Sequence, residues 1–450
     1  MGNTDSIAAI ATATGEAGVG IVRISGDCAC AIGSTIVGSL PPPRQMALRW
    51  FHTADGSRID RGLVVQFSGP YSYTGEDMIE LQAHGGPVVL QLVLEAALAA
   101  GARMAQPGEF TQRAFLNGKL DLTQAEAIAD LIGSRTEQAA RAATRSLSGE
   151  FAAAVGQLQQ SLTHLRMHVE AAIDFPEEEI DFLDAPALSA EIDQVTAAFE
   201  HLQQRVQTGR RLQDGMDVAL VGAPNVGKSS LMNEFAGEDA AIVTDIAGTT
   251  RDLVRTQINI GGAPVQLIDT AGLHDSDDVV EREGMRRTRR AIDESDVVLA
   301  VVAANDPALT DTIRQLVDLC PVDVPLFLVI NKCDLVRPAE MDVPARVHVV
   351  HVVSAFDGEG IDALRRDLGE LALGGGNAEG SLSARVRQVR LLEQAKSHFD
   401  VGVQQLRSQR AGELLAEELS QAQRCLGQIT GEFTADDLLG TIFGEFCIGK

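Results

Sequence analysis

The stretch Gly222-Ala223-Pro224-Asn225-Val226-Gly227-Lys228-Ser229 constrains this chain more than any other. It follows the apolar run Val218 to Val221 and opens a segment of helical character that begins with Ser229 and Ser230. A glycine-rich turn between a buried strand and a helix predicts an α/β unit whose backbone N–H groups point inward at a helix N-terminus. Such a loop suits phosphate oxygens. Lys228 is placed to reach the β- and γ-phosphates, and Ser229 to ligate Mg2+.

Two further strand ends carry companions in the order a GTP-binding domain requires. Asp269-Thr270-Ala271-Gly272 closes the run Val265 to Ile268, and Asn331-Lys332-Cys333-Asp334 closes Leu326 to Ile330. Asp269 is expected in the magnesium shell, and the Gly272 N–H against the γ-phosphate. The Asp334 carboxylate can accept from both N1–H and the 2-amino group of guanine, a donor pair that adenine lacks. Leaving such a site unpaired costs about 10⁴-fold in discrimination. Asn331 is expected to brace this loop and Lys332 to flank the ring. Ser354-Ala355, after Val349 to Val353, can offer an N–H to the guanine oxygen, although the same pair also suits a plain strand-end turn.

The residue after Gly272 is Leu273, which neither donates nor accepts a hydrogen bond, so another group must orient an attacking water. Glu281, in Glu281-Arg282-Glu283-Gly284, is the best candidate, and a solvated residue in a first helical turn is the plainer reading. The segment Thr244-Asp245-Ile246-Ala247-Gly248-Thr249-Thr250 lies where switch I is expected, with Thr250 in reach of Mg2+. The Asn225 side-chain oxygen can either stabilise a turn or hold a monovalent cation beside the phosphates, where its charge would do the work of an arginine finger.

A chain of 450 residues predicts two or three domains. Its net charge of −26 opposes a broad grip on nucleic acid, so any RNA must be held by a local basic patch, by a second protein or weakly. No apolar run approaches the roughly 18 residues of a membrane helix, and the N-terminus lacks a signal-peptide layout. Six cysteines without a C-x-x-C pair predict a reducing cytoplasm and neither a disulfide framework nor a zinc site. The ends, Met1 to Ser6 and Cys447-Ile448-Gly449-Lys450, imitate lipidation signals without their usual companions.

Texture divides the chain. Residues 1–118 read as an α+β domain, with strands at Ile21 to Ser25, Leu63 to Phe67 and Met78 to His84 and a helix over Val88 to Ala100. Residues 119–214 are helical, interrupted by the acidic stretch Phe175 to Phe182; 215–373 alternate strand and helix as a doubly wound domain does. After the glycine-rich linker Gly374 to Ser381, helical texture returns from Ala384 to Leu426, and 374–450 is expected to form the second part of the helical domain. The predicted fold is multidomain α/β: a P-loop GTPase domain inserted into a discontinuous α-helical domain, preceded by the α+β domain. In Met78 to His84 the period of two places Glu80, Gln82 and His84 on one face. By itself Glu80 reads as a solvated strand carboxylate.

The motifs GAPNVGKSS, TDIAGTTRD, DTAGL and VEREG, the N-terminal GVGIVRISG, the blocks PGEFTQRAFLNGKLDLTQAEAIADLI and EAAIDFPEEEIDF, and the tail FCIGK occur in order. With them the whole chain resembles the MnmE (TrmE) family of bacterial tRNA-modification GTPases, within the wider potassium-stimulated TrmE-Era-EngA-like group. The resemblance implies a homodimer formed through an N-terminal folate-binding domain, and a cytoplasmic protein. It implies Mg2+ on Ser229 and Thr250, K+ on Asn225, Thr244, Ile246 and Thr249, and Glu281 as the catalytic carboxylate. It also implies 5-formyltetrahydrofolate, a tetrahydrofolate derivative, bound by Arg23, Glu80, Lys119 and Lys450. A pterin offers the donor pair that guanine does, so Glu80 would read it as Asp334 reads the base. Cys447 would take part in the modification rather than in hydrolysis. The implied partner is the FAD-dependent MnmG (GidA), in a heterotetramer acting on tRNA. The product would be 5-carboxymethylaminomethyl- or aminomethyluridine at the wobble position. Two positions depart from the pattern: Phe356 stands where a basic or polar residue is common, and Cys333 where alanine is frequent. A regulatory switch of the ribosome-assembly type and a folate-dependent one-carbon transferase compete with this reading. The first leaves the N-terminal domain and the cysteine tail unexplained.

Overall fold

Strand pairing gives two separate sheets, each within its own compact unit. The structure is a computed structural model and describes residues 5–174, 186–239, 255–269, 289–338, 341–374, 378–432, 436–444 and 446–449. One unit comprises residues 1–129, 155–176 and 394–450, the other 130–154 and 177–393.

The first unit is built on strands β1 (Ile7–Ile10), β2 (Ala17–Ser25), β3 (Ala47–His52), β4 (Arg58–Phe67), β5 (Met78–Gly85) and β6 (Arg103–Met104). Their order is β3-β4-β5-β2-β1-β6, antiparallel except where β6 runs parallel to β1. Period-two alternation decides which face is covered. Val22, Ile24, Val64, Ile79 and Leu81 are fully buried and pack with Ile32, Ile36, Val93 and Leu94 of the helices Ala29–Val37 and Pro87–Ala99. Glu80, Gln82 and His84 alternate with them onto the opposite face, as the sequence predicts. The last helix, Asp436–Gly444, packs Leu439, Ile442 and Phe443 on Leu122 and Ala125. Beyond it the chain returns to the sheet, where Ile448 bridges Pro107. Gly449 has φ +95°, and a Cβ there would lie 2.3 Å from the Ile10 carbonyl. Only glycine lets the tail pass so close to β1.

The second unit carries β7 (Met216–Val221), β8 (Arg255–Ile260), β9 (Ala263–Asp269), β10 (Val297–Ala303), β11 (Leu326–Asn331) and β12 (Val349–Val352). The order is β12-β11-β10-β7-β9-β8, and only β8 is antiparallel to its neighbour. Both faces are buried, as a parallel sheet requires. Val218 and Leu220 join one core with Phe235, Leu364 and Leu368, while Ala219 and Val221 join another with Ile292, Ile313 and Leu316. This is the predicted doubly wound domain.

Helices that precede the α/β segment meet the non-helical stretch that follows it within this unit. Arg145, on the helix Glu137–Leu147, donates to the Ser381 carbonyl at 2.7 Å, and Ser146 Oγ to the Ser383 carbonyl at 3.0 Å. Arg385 Nε donates to Asp130 at 3.1 Å. The chain before the α/β segment and the stretch 378–385 after it thus touch, while the compact units divide the helical residues between them, 155–176 and 394–450 with the first sheet and 130–154 and 177–393 with the second.

Candidate nucleotide site and N-terminal pocket

Parallel strands bring their carboxyl ends to one edge, and β7 lies where the chain order reverses, between β9 and β10. Ligands of doubly wound sheets bind at that switch point. The register aligns Leu220 with Asp269 and Ala303 with Asn331. The phosphate loop, Asp269 and the Asn-Lys-Cys-Asp loop therefore emerge together.

The loop itself needs unusual backbone. Asn225 has φ +62° and Gly227 φ +99°. A Cβ on Gly227 would lie 2.2 Å from Asn331 Nδ2, so this glycine also makes room for a cross-loop contact. Asn331 is 2% exposed; its Nδ2 donates to the Val226 carbonyl at 2.9 Å and its Oδ1 accepts from the Ala355 N–H at 3.0 Å. Lys332 Nζ donates to the Asn225 carbonyl at 2.6 Å, which stretches its aliphatic stem toward the phosphate loop. Ser354 is buried, donates from Oγ to Asp334 Oδ1 at 2.9 Å, and accepts at the same oxygen from the Phe356 N–H at 3.3 Å. Asp334 is exposed and pre-aimed by that serine. In the Ser354-Ala355 turn, which can offer an N–H to the guanine oxygen, the Ala355 N–H is directed at Asn331 here. Phe356 is 90% exposed, more than any other large apolar side chain among the described residues.

Lys228 is buried at the base of the loop, where Nζ donates to the Gly222 and Ala223 carbonyls at 2.8 and 3.1 Å. Burial pulls its ammonium below the usual lysine value, while the charge of buried Asp269 opposes that shift. A buried cation bonded to two carbonyls, at a helix N-terminus, is a cradle for an anion. The donor set therefore fits a phosphate chain. Ser229 and Ser230 are exposed on the first turn of the helix Lys228–Asp239, open to a metal or a phosphate. Thr244, Asp245, Ile246, Ala247, Gly248, Thr249, Thr250, Thr270, Ala271, Gly272 and Glu281 lie outside the described residues, as does Lys450.

A second constellation stands on the open face of the first sheet. Arg23 on β2 is registered opposite Glu80 on β5, and its Nε and Nη2 both donate to Glu80 Oε1, at 3.1 and 2.9 Å. Its guanidinium carbon lies 5.4 Å from the Tyr73 ring centroid and 5.7 Å from that of Phe110. The remaining Nη1 donates to the Gly449 carbonyl at 3.4 Å. A cavity of about 490 Å³ adjoins the pair, lined by Arg23, Arg44, Phe67, Tyr71, Ser72, Tyr73, Met78, Glu80 and Lys119. Lys119 Nζ donates to the Pro70 carbonyl at 2.9 Å. Arg23, Glu80 and Lys119, far apart in sequence, are thus neighbours. A carboxylate has about four lone-pair sites, so Glu80 can serve Arg23 and a ligand's paired N–H groups together. Cys447 is exposed on the returning tail, its carbonyl accepting from the Gly108 N–H at 3.3 Å.

Sequence reasoning missed the aromatic sandwich around Arg23 and the pocket residues Arg44 and Tyr71. Nothing local marks them, because each reaches the cavity through the fold. Behind the pocket, buried Arg113 bonds Asp5, Glu76 and Glu109 at 2.8, 3.1 and 3.0 Å, and Arg103 also bonds Asp5 and Glu109. This network fixes the helix Glu109–Leu116, which leads into Lys119.

Comparison with known proteins agrees with this arrangement over most of the chain. Residues 6–119 match the family described as GTP-binding protein TrmE N-terminus, and residues 122–447 match the MnmE helical domain. Among solved structures, a tyrosine-to-alanine variant of Era from Aquifex aeolicus bound to GDP and aluminium fluoride is 24% identical, over 41% of this chain and 67% of that one, with a TM-score of 0.28. The G domain of the T. maritima FeoB iron transporter is 22% identical, over 35% and 98%, with a TM-score of 0.27. Era in complex with a magnesium-bound GTP analogue and a segment of 16S ribosomal RNA is 21% identical, over 51% and 98%, with a TM-score of 0.29. The family matches together span more than half of the chain, and it belongs to the MnmE (TrmE) family of tRNA-modification GTPases.

Proposed function

We propose that the chain hydrolyses GTP in a potassium-stimulated reaction and couples it to modification of wobble uridine in tRNA, together with the FAD-dependent MnmG (GidA). The product would be the 5-carboxymethylaminomethyl or aminomethyl nucleoside, made by a cytoplasmic homodimer within a heterotetramer. The observation that carries the reading is the span of the family matches, which takes in the N-terminal pocket and the cysteine tail as well as the helical and GTPase segments. A GTPase acting only as a switch gives no account of that pocket.

In the proposed hydrolysis Asp334 and Lys332 hold guanine, and Asn331 keeps base loop and phosphate loop in register. Lys228 leaves its two carbonyls for the β- and γ-phosphate oxygens, and Asp269 orders the metal shell. Ser229 and Thr250 would hold Mg2+, and Asn225, Thr244, Ile246 and Thr249 would hold K+; the cations supply positive charge against the charge that develops on the transferred phosphoryl group. Glu281 orients the attacking water, a task closed to Leu273. Phosphate leaves and GDP remains on the base loop. In the N-terminal pocket Glu80 and Arg23, with Lys119 and Lys450, would hold 5-formyltetrahydrofolate close to Cys447.

The decisive experiment is the wobble nucleoside profile of tRNA from a strain lacking this gene. Loss of the 5-substituted uridines is expected, with restoration by the intact gene. An unchanged profile sinks the reading.

A further inference from the structure

The N-terminal pocket opens past Glu80 to a rim with two exposed cations, Arg44 and Lys119, neither paired with a carboxylate among the described residues. Both stand on one short loop. Arg44 Nη2 donates to the Tyr71 carbonyl at 3.1 Å, and Lys119 Nζ to the neighbouring Pro70 carbonyl at 2.9 Å. Arg44 also lies 5.6 Å from the Tyr71 ring centroid, and its N–H donates to the Gln66 carbonyl at 2.8 Å, which anchors it at φ +62°. The Lys119 stem packs beside Gly75, where a Cβ would meet it at 3.3 Å. These contacts hold the two cations in place, yet each uses one donor of the five on a guanidinium or the three on an ammonium.

On a chain of net charge −26 such a pair gives a local attraction for an anion against the overall repulsion. The cavity, about 490 Å³, is of the size that encloses a drug-sized ligand. A pterin with its aminobenzoyl group would fill it, leaving the glutamyl end of a folate at the rim. Intracellular folates can extend that end by γ-linked glutamates, each adding one carboxylate.

We infer that Arg44 and Lys119 form a subsite for the poly-γ-glutamate tail of a reduced folate. Lys119 takes a carboxylate of the first glutamyl residue, and Arg44 takes those of the residues that follow. The pocket then selects polyglutamylated over monoglutamyl folate. This rests on the folate reading of the pocket proposed above.

The test is calorimetric titration of the full chain with 5-formyltetrahydrofolate as its monoglutamate and as its pentaglutamate. At low salt the pentaglutamate binds about fivefold more tightly, the scale of two exposed ion pairs, and the preference shrinks as salt screens it. Arg44→Ala removes at least half of that preference, weakening the pentaglutamate more than the monoglutamate, and unchanged Trp50 fluorescence reports an intact N-terminal unit. Arg44→Lys retains part of it. Lys119→Ala weakens both ligands. Equal affinity of the unmodified chain for the two folates overturns the subsite alone, as does an Arg44→Ala variant that weakens both alike. If neither folate binds, the folate reading falls and the subsite with it.

Discussion

Asn331 Nδ2 donates to the Val226 carbonyl across 2.9 Å, fastening the loop that reads the base to the loop that holds the phosphates. Its Oδ1 accepts from Ala355, so one buried amide ties three loops together. Asn331→Ala strands a carbonyl and an N–H in a closed site, and a buried unsatisfied group costs about 1–3 kcal/mol. The expected result is a loss of GDP affinity of about 5- to 150-fold, read with a fluorescent GDP analogue. Gly227→Ala, which drives a Cβ into the same amide and forces φ +99° on alanine, should lose more. Unaltered affinity in both variants would show that the clamp does not organise the site.

Phe356 gives the second prediction. Its N–H is pinned to Ser354, the residue that aims Asp334, and its ring is 90% exposed beside the base loop. If the Lys332 stem flanks one face of guanine, as proposed, the Phe356 ring would be available to cover the other. Stacking of a base on an aromatic ring contributes about 1–3 kcal/mol. Phe356→Ala should therefore weaken GDP and GTP about equally and leave turnover at saturating GTP intact. A variant with normal affinity but altered turnover would assign Phe356 to something other than the base.

The phosphate loop was legible because its glycine spacing lies between a buried strand and a helix, and β7, β9 and β11 because short apolar runs end in motif residues. Of the N-terminal strands β2, β4 and β5 were legible, β5 by alternation with Ile79 and Leu81 fully buried and Glu80 turned away, while β1, β3 and β6 were not. Contacts between distant segments were not legible. Asn331 and Val226 are 105 residues apart, and Arg23 and Gly449 are 426 apart. Neither pairing leaves a local periodicity.

Potassium supplies the third prediction. Asn225 sits at φ +62° in the phosphate loop, exposed and tied by its carbonyl to Lys332, so its side chain is the part left for a cation. GTP turnover in potassium should exceed that in sodium by about tenfold or more, as when a positive charge enters the transition state. Asn225→Ala should erase the difference while GDP still binds. Glu281→Ala should suppress turnover in either salt with nearly normal nucleotide affinity. Equal rates of the unmodified chain in the two salts would rule out the cation role.

The fourth prediction concerns acid stability of the N-terminal unit. Burial works to raise the Glu109 carboxyl, but Arg103, the Gln106 N–H and Arg113 outweigh it, so Glu109 titrates below its ordinary 4.5. Asp5 is lowered as well, first by its bond from Arg103, against the opposing effect of burial. A depressed carboxyl contributes stability above the unfolded-state value, and that stability is lost as pH falls through the folded-state value. Glu109→Gln leaves buried Arg113 with Asp5 and Glu76 but one counter-charge fewer, and should cost about 1–3 kcal/mol at neutral pH. Trp50 is the chain's single tryptophan and lies in this unit, so its fluorescence during urea unfolding isolates the effect. The gap between the two proteins should narrow as pH drops below 4.5. A gap independent of pH would mean that packing, not charge, accounts for the loss.

The tail provides the last prediction. Gly449 passes so near β1 that a Cβ would stand 2.3 Å from the Ile10 carbonyl, in a backbone conformation at φ +95° that alanine resists. Its own carbonyl accepts from Arg23, the residue that also holds Glu80. Gly449→Ala should therefore release the last residues from the sheet and free Cys447 from its bond to the Gly108 N–H. The phosphate loop belongs to the other unit, so GTP hydrolysis should persist. If Cys447 serves the modification, the variant should hydrolyse GTP yet fail to restore 5-substituted wobble uridines in a strain lacking the gene. Limited carboxypeptidase digestion provides an independent readout, with the variant trimmed faster than the unmodified chain. Faster trimming with full restoration would separate tail docking from the chemistry and leave Cys447 without a part in it.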